Sequence, residues 1–239
     1  MRATAIAAVR AAGLETPARR ARSLMRPAVR RAERDHELML TFIRTALPAD
    51  ATCIDVGAHT GDVLREIVAA CPEGDHWAFE ANPLLVGRLR ARYPQVRVEG
   101  CALSDEEGIT SFFIPDGEPS RAGMIARRRG AREIEVMTAP LDRFHGEIGS
   151  ADFLKIDVEG AERLVLEGGS GLLEQSRPAV IFEFGRSQRA YGTRPADVWD
   201  RLVDRAGLRM MTLEGDPLTL PEFHRLWESG ARWNFLARA

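Results

Sequence analysis

The chain has 239 residues, of which 45% are hydrophobic and 28% charged. That is enough for one sizeable α/β core plus an extension, and too apolar for wholesale disorder. A formal net charge of −2 gives no whole-chain electrostatic reason to bind nucleic acid, and no apolar run approaches the roughly 18 residues that a membrane-spanning helix needs. The three cysteines, Cys53, Cys71 and Cys101, show no C-x-x-C spacing and read as buried thiols of a reducing, cytoplasmic compartment.

Residues 1–34 read as a basic, Arg/Ala-rich extension, with eight arginines and the single acid Glu15 among the first 31 positions. A solvated extension is expected; the alternatives are an amphipathic segment touching a membrane surface or a partner, and a transit-like peptide. There is no continuous apolar h-region of a secretory signal. Of the 33 basic residues in the chain only Lys155 is a lysine, an arginine bias that suits a GC-rich bacterial coding background.

Residues 35–239 are expected to form one domain. Periodic apolar positions predict a helix over 35–47, stopped by Pro48. Residues 51–56 form a short apolar run closing on Gly57, a buried strand, and 62–71 place Val63, Leu64, Ile67, Val68 and Cys71 on one helical face. A second strand is expected at 76–79. Asn82-Pro83 then opens a helix to about residue 93, because Asn caps free N–H groups and Pro suits the first turn. Further strands are predicted at 96–99, 109–114, 133–137, 153–158 and 179–184, with helices at 161–167 and 198–206. Residues 208–213 and 233–236 close the sheet. Strands alternating with helices predict a doubly wound, mostly parallel Rossmann-like sheet of about seven strands with helices on both faces, and continuous apolar strands agree with burial on both sides.

Ligands of such folds sit beyond the carboxyl ends of the strands. After the first strand comes Asp55-Val56-Gly57-Ala58-His59-Thr60-Gly61, where the glycines permit a tight turn and close approach of a ligand to backbone. Glu80 ends the second strand, placed to accept hydrogen bonds from two ribose hydroxyls, with Ala81 and Asn82 following. A dinucleotide fingerprint is G-x-G-x-x-G, with a pyrophosphate on the helix N-terminus; here Asp55 holds the first glycine position. A carboxylate would repel a pyrophosphate by about 4 kcal/mol at roughly 4 Å in an intermediate dielectric, whereas it favours the sulfonium and α-ammonium of S-adenosylmethionine. The third strand exit brings backbone groups of Ala102 and Leu103 beside the adenine, or is an ordinary loop. The fourth strand runs into Lys155-Ile156-Asp157-Val158-Glu159-Gly160-Ala161-Glu162. Alternation puts Lys155, Asp157 and Glu159 on one side, and a lysine within an apolar strand requires a partner. Glu183, ending an otherwise apolar strand, is expected in the cleft.

The combination of the Asp55-to-Gly61 loop, Phe79-Glu80-Ala81-Asn82-Pro83, Ala102-Leu103-Ser104-Asp105, Leu141-Asp142, the block from Lys155 to Glu162 and Phe182-Glu183 resembles the FkbM family of class I methyltransferases, over residues 52–185. His59 stands where asparagine is frequent in that family, and Ala81 where proline is common. The resemblance implies methyl transfer from S-adenosylmethionine, usually to a hydroxyl oxygen of a sugar, glycan or polyketide-type natural product. An acceptor alcohol needs a general base, for which Asp157 is the first candidate and Glu183 the second, with Lys155 holding the carboxylates or binding an acceptor oxygen. Asp157 and Glu183 are alternatively ligands for a hard cation such as Mg²⁺. The arginines of the loop 115–132 (Arg121, Arg127, Arg128, Arg129 and Arg132) are read as solvated, or else as favouring an anionic acceptor. A non-catalytic module retaining the fold and a nicotinamide-dependent oxidoreductase are the competing readings.

Overall fold

The computed structural model describes residues 27–115, 122–125 and 131–239. The extension before residue 27 lies outside them, as do Arg121, Arg127, Arg128 and Arg129. The chain divides into two units, one ending at Leu40 and the other spanning Thr41–Ala239. Helix α1 (Pro27–Ala46) runs through the border between them. It starts at Pro27 rather than at residue 35, where the helix was expected to begin. Proline suits a first helical turn, and the Ala, Arg and Glu residues that follow favour helix regardless of periodicity. The apolar pattern had located only the point where one face turns apolar.

Within the second unit the chain folds as β1 (Cys53–Val56), α2 (Asp62–Ala70), β2 (Trp77–Phe79), α3 (Pro83–Arg92) and β3 (Arg97–Glu99), then through β4 (Ala102–Leu103), β5 (Gly108–Ile114) and β6 (Arg132–Ala139). It continues with α4 (His145–Ile148), β7 (Phe153–Ile156), α5 (Glu162–Gly168), α6 (Ser170–Ser176), β8 (Ala179–Glu183), α7 (Pro195–Trp199), β9 (Arg209–Thr212), α8 (Leu220–Ser229) and β10 (Asn234–Arg238). Helix α7 runs on as a π-helical stretch, Asp200–Arg205.

Seven strands form the main sheet in the order β3-β2-β1-β7-β8-β10-β9. All its pairings are parallel except those of β10, which is antiparallel to both neighbours. Every residue of β1, β2 and β7 is buried, which is why these strands carry continuous apolar runs instead of alternation. Asn82 accepts the Leu84 N–H at 3.1 Å and Pro83 occupies the first turn, as the dipeptide predicts.

The strands expected at 109–114 and 133–137 exist, but not in the main sheet. They are β5 and β6, an antiparallel pair joined by β4 in a separate three-stranded sheet. Ala102 and Leu103 therefore open this second sheet and do not extend β3. Its buried Phe112, Ile114 and Val136 pack with Ala81, Ala102, Ala122 and Met124, closing one flank of the region above β2. On the other flank α8 inserts Phe223 against Phe182, Phe184 and Phe235, with ring centroids as close as 4.7 Å. Burying a phenylalanine contributes about 1.5–3 kcal/mol, so this cluster fixes the β8 end on which Glu183 stands. No helix among the described residues is long and apolar enough to cross a membrane.

Candidate active site

The strand order reverses between β1 and β7, so connections from these neighbours leave in opposite directions and open a crevice above their carboxyl ends. The expected residues from β1, β2, β7 and β8 all stand at this end of the sheet.

Asp55 and Lys155 are register partners on β1 and β7. Asp55 is fully buried and Lys155 nearly so, with 3.1 Å between Nζ and the carboxylate. The ammonium also donates to the carbonyls of Gly57 at 3.0 Å and Val56 at 3.4 Å. Burial alone would lower the Lys155 pKa, but the carboxylates of Asp55 and Asp157 outweigh it and the net direction is upward. Full burial therefore closes Asp55 to a ligand in this arrangement. Its charge is met within the sheet, and the electrostatic preference for a cationic ligand rests instead on acids nearer the crevice.

Gly57 and Gly61 both have left-handed φ, +77° and +78°. A Cβ on Gly57 would lie 2.0 Å from the Asp157 carbonyl oxygen, so glycine is required where the β1 and β7 turns touch. Tyr93 covers Gly61 and donates its hydroxyl to the Gly61 carbonyl at 2.9 Å. Thr60 is exposed and donates to Asp62 at 3.2 Å. Glu80, buried at the end of β2, accepts the His59 N–H on one oxygen and the Asn82 N–H on the other, each at 2.8 Å. Burial raises its pKa, opposed by those two amides. Ala81 and Ala102 are half-buried beside it, and Leu103 is buried.

The turn after β7 is the polar centre. Asp157 is exposed to the crevice, and its N–H donates to the Val56 carbonyl at 3.1 Å. The expected alternation ends before Glu159: Glu159 has φ +57° and Gly160 φ +114°, while the Asp157 charge still acts on Lys155. Glu183 is hydrogen-bonded to Asp157. Its carboxyl is held well above the ordinary carboxylate range by burial first and then by the charges of Asp157, Glu162 and Glu159. A neighbouring carboxylate disfavours the charged form of Glu183 in the same direction as its burial does. Among the described residues no group of three or more His, Cys, Asp or Glu side chains converges as a metal site. With Asp157 and Glu183 lacking a third such side chain beside them, the Mg²⁺ alternative is not supported.

Several participants carried no signal in the sequence. Gln188 is fully buried and places its amide nitrogen on Glu162. Gly123, bridged to Phe113 by backbone hydrogen bonds of 2.8 and 3.1 Å, brings residues 122–125 back to the site; a Cβ there would be 3.7 Å from the Glu159 Cβ and 3.8 Å from the Tyr191 hydroxyl. Asp142, part of the family pattern, is structural: its carboxylate accepts the N–H groups of Gly171 and Leu172 at 2.7 and 2.9 Å, capping α6.

The residues present fit an adenosyl group carrying positive charge. Each Glu80 oxygen holds one N–H with acceptor capacity remaining. Asp157 adds a carboxylate facing the crevice.

Comparison with known proteins bears on what occupies this crevice. The family described as the methyltransferase FkbM domain matches residues 55–210. Among curated proteins the chain is similar to the 2-O-methyltransferase NoeI of Sinorhizobium fredii, 26% identical over 148 residues, which cover 54% of this chain and 61% of NoeI. It is also similar to the AMB antimetabolite synthetase AmbE of Pseudomonas aeruginosa, 33% identical over 117 residues, covering 47% of this chain and 6% of AmbE. The chain thus spans less than two thirds of each relative. Of solved structures, the methyltransferase FkbM from Methylobacillus flagellatus superposes with a TM-score of 0.51 at 17% identity, over 84% of this chain and 48% of that one, a likeness of fold.

Proposed function

We propose that this chain, which belongs to the FkbM methyltransferase family, transfers a methyl group from S-adenosylmethionine to a hydroxyl oxygen of a sugar, glycan or polyketide-type natural product. The observation that carries the proposal is the placement of Glu80, Asp157 and Glu183 at one end of the sheet within the matched family region. The oxygen acceptor is supported by the likeness to NoeI, a 2-O-methyltransferase by name.

S-adenosylmethionine supplies an electrophilic methyl group on a sulfonium, so the protein's task is positioning and proton transfer. Glu80 holds the ribose hydroxyls, with Ala81 and Asn82 following it and backbone of Ala102 and Leu103 on the adenine side. Gly57 and Gly61 shape the loop that carries His59 and Thr60. Asp157 is the general base: its exposed carboxylate accepts the proton that the acceptor hydroxyl gives up as the new bond forms. Glu183, hydrogen-bonded to Asp157 and with its pKa raised by burial, fixes the orientation of that carboxylate. Lys155 is taken up by Asp55 and two backbone carbonyls; its role is to hold β1 against β7.

Calorimetric titration tests this reading. Micromolar binding of S-adenosylmethionine and S-adenosylhomocysteine, with none of NAD, is expected. Asp157→Asn should retain that binding and lose turnover on whichever hydroxyl acceptor the wild type methylates. Binding of NAD alone would refute the proposal.

A further inference from the structure

Glu162 is fully buried, and neither donor binding nor proton transfer uses it. It lies one turn beyond Asp157, at the start of α5. The intervening residues Glu159 and Gly160 both have left-handed φ, a conformation that costs a non-glycine residue about 1–2 kcal/mol and persists only where its surroundings impose it.

The surroundings here are the Glu162 carboxylate. One oxygen accepts the N–H groups of Val158 at 3.1 Å and Gly160 at 3.2 Å, so the carboxylate closes back on the turn that precedes it. The other oxygen meets the side-chain amide of Gln188, which belongs to the short helix Arg186–Tyr191 after β8. The same amide nitrogen stands 3.5 Å from the Glu183 carbonyl. The contact surface agrees: a Cβ on Gly160 would lie 2.9 Å from both the Ser187 carbonyl and the Tyr191 ring. One buried side-chain pair therefore ties the turn bearing Asp157 to the segment leaving Glu183.

We propose that Glu162 and Gln188 form a latch that fixes the spacing of the Asp157–Glu183 pair. Both are positioning residues, and their catalytic importance rests on the methyl-transfer reading above. Glutamine at 162 can reproduce the geometry: its oxygen keeps the Val158 and Gly160 amides, and its NH₂ faces Gln188 once that amide turns over by 180°. Burial pushes the Glu162 pKa up to about 7, so the protein already tolerates a neutral group at this position.

The test uses the full chain carrying Gln188→Ala, Glu162→Gln or Glu162→Ala, below each variant's own melting point. It has two readouts: amide exchange at Val158 and Gly160, and the titration midpoint of the Glu183 carboxyl by ¹³C NMR. In Gln188→Ala the two amides should exchange about tenfold faster, the scale of one lost hydrogen bond, and the Glu183 midpoint should fall towards the ordinary value as the acids separate. Glu162→Gln should match the wild type in amide exchange while its Glu183 midpoint falls because a neighbouring charge is removed, and Glu162→Ala, if it folds, should exceed Gln188→Ala in exchange. Unchanged exchange or an unchanged Glu183 midpoint in Gln188→Ala overturns the latch. So does a Glu162→Gln protein whose Val158 and Gly160 amides exchange as fast as those of Gln188→Ala. Calorimetry with S-adenosylmethionine on the wild type is the separate arm: failure there refutes methyl transfer, and the latch is still judged by the two NMR readouts.

Discussion

Replacing Lys155 with methionine removes the charge that faces Asp55 while keeping a side chain of similar length in the sheet. The two groups are 3.1 Å apart, where opposite unit charges attract by about 5 kcal/mol at an effective dielectric of 20. Part of that attraction offsets the desolvation of both groups. The single substitution leaves Asp55 fully buried without its counter-charge, a situation that destabilises by about 3–5 kcal/mol. Domain stability is only about 5–15 kcal/mol, so Lys155→Met should be marginal at 37 °C. Adding Asp55→Asn removes the stranded charge, and the double variant should recover at least about 2 kcal/mol relative to Lys155→Met alone. Urea unfolding at pH 7, followed by the fluorescence of the four tryptophans, measures both. A loss below about 1 kcal/mol in Lys155→Met, or additive losses in the double variant, would refute the claim that Lys155 is the counter-ion of a buried acid.

Glu80→Ala should weaken S-adenosylmethionine binding roughly 100-fold, since two charge-assisted hydrogen bonds to ribose are together worth about 3 kcal/mol; calorimetry showing less than a threefold change would place the ribose elsewhere. Gly160→Ala puts a methyl group 2.9 Å from the Ser187 carbonyl and the Tyr191 ring at φ +114°, and should cost about 2 kcal/mol or more in thermal or urea unfolding. Glu162 makes stability pH-dependent. Its pKa is raised from 4.5 to about 7 by burial, so between those values the folded state binds more protons than the unfolded, and stability falls as pH rises. That contribution is about 3 kcal/mol across the window. Glu162→Gln should flatten it, and parallel wild-type and variant profiles from pH 4 to 8 would show that Glu162 does not titrate this way.

What the sequence disclosed, and what it hid, follows from the physics of each signal. Continuous apolar runs bounded by turns marked β1, β2, β7 and β8, because strands buried on both faces admit little else, and acids at their ends stood out against that background. The Asn82-Pro83 cap was readable for the same local reason. Membership of the small sheet was not, since β5 and β6 carry the same residue types as strands of the main sheet and only long-range pairing separates them. Alternation could not be carried on to Glu159, because it assumes an extended backbone and the chain leaves that conformation there. Helix α8 was overlooked although Thr219 and Glu222 form a capping box, a local signature that could have located it. Gln188 had no such mark: its importance arises only when folding brings β7 and β8 side by side.

The position of β10 orders the assembly of the domain. Strand β9 precedes it in the chain but reaches the sheet only through it, Met211 lying opposite Leu236 and Thr212 opposite Phe235. Until residues 234–238 are in place β9 is held only by the turn that follows it, through Pro217 and Leu218, β8 has a bare edge, and Phe182 and Phe223 lack the ring that closes their cluster. A nascent polypeptide stopped short of residue 234 would therefore hold its donor-binding half already shaped beside an aggregation-prone flank, and quality control would meet that species before it met a finished enzyme.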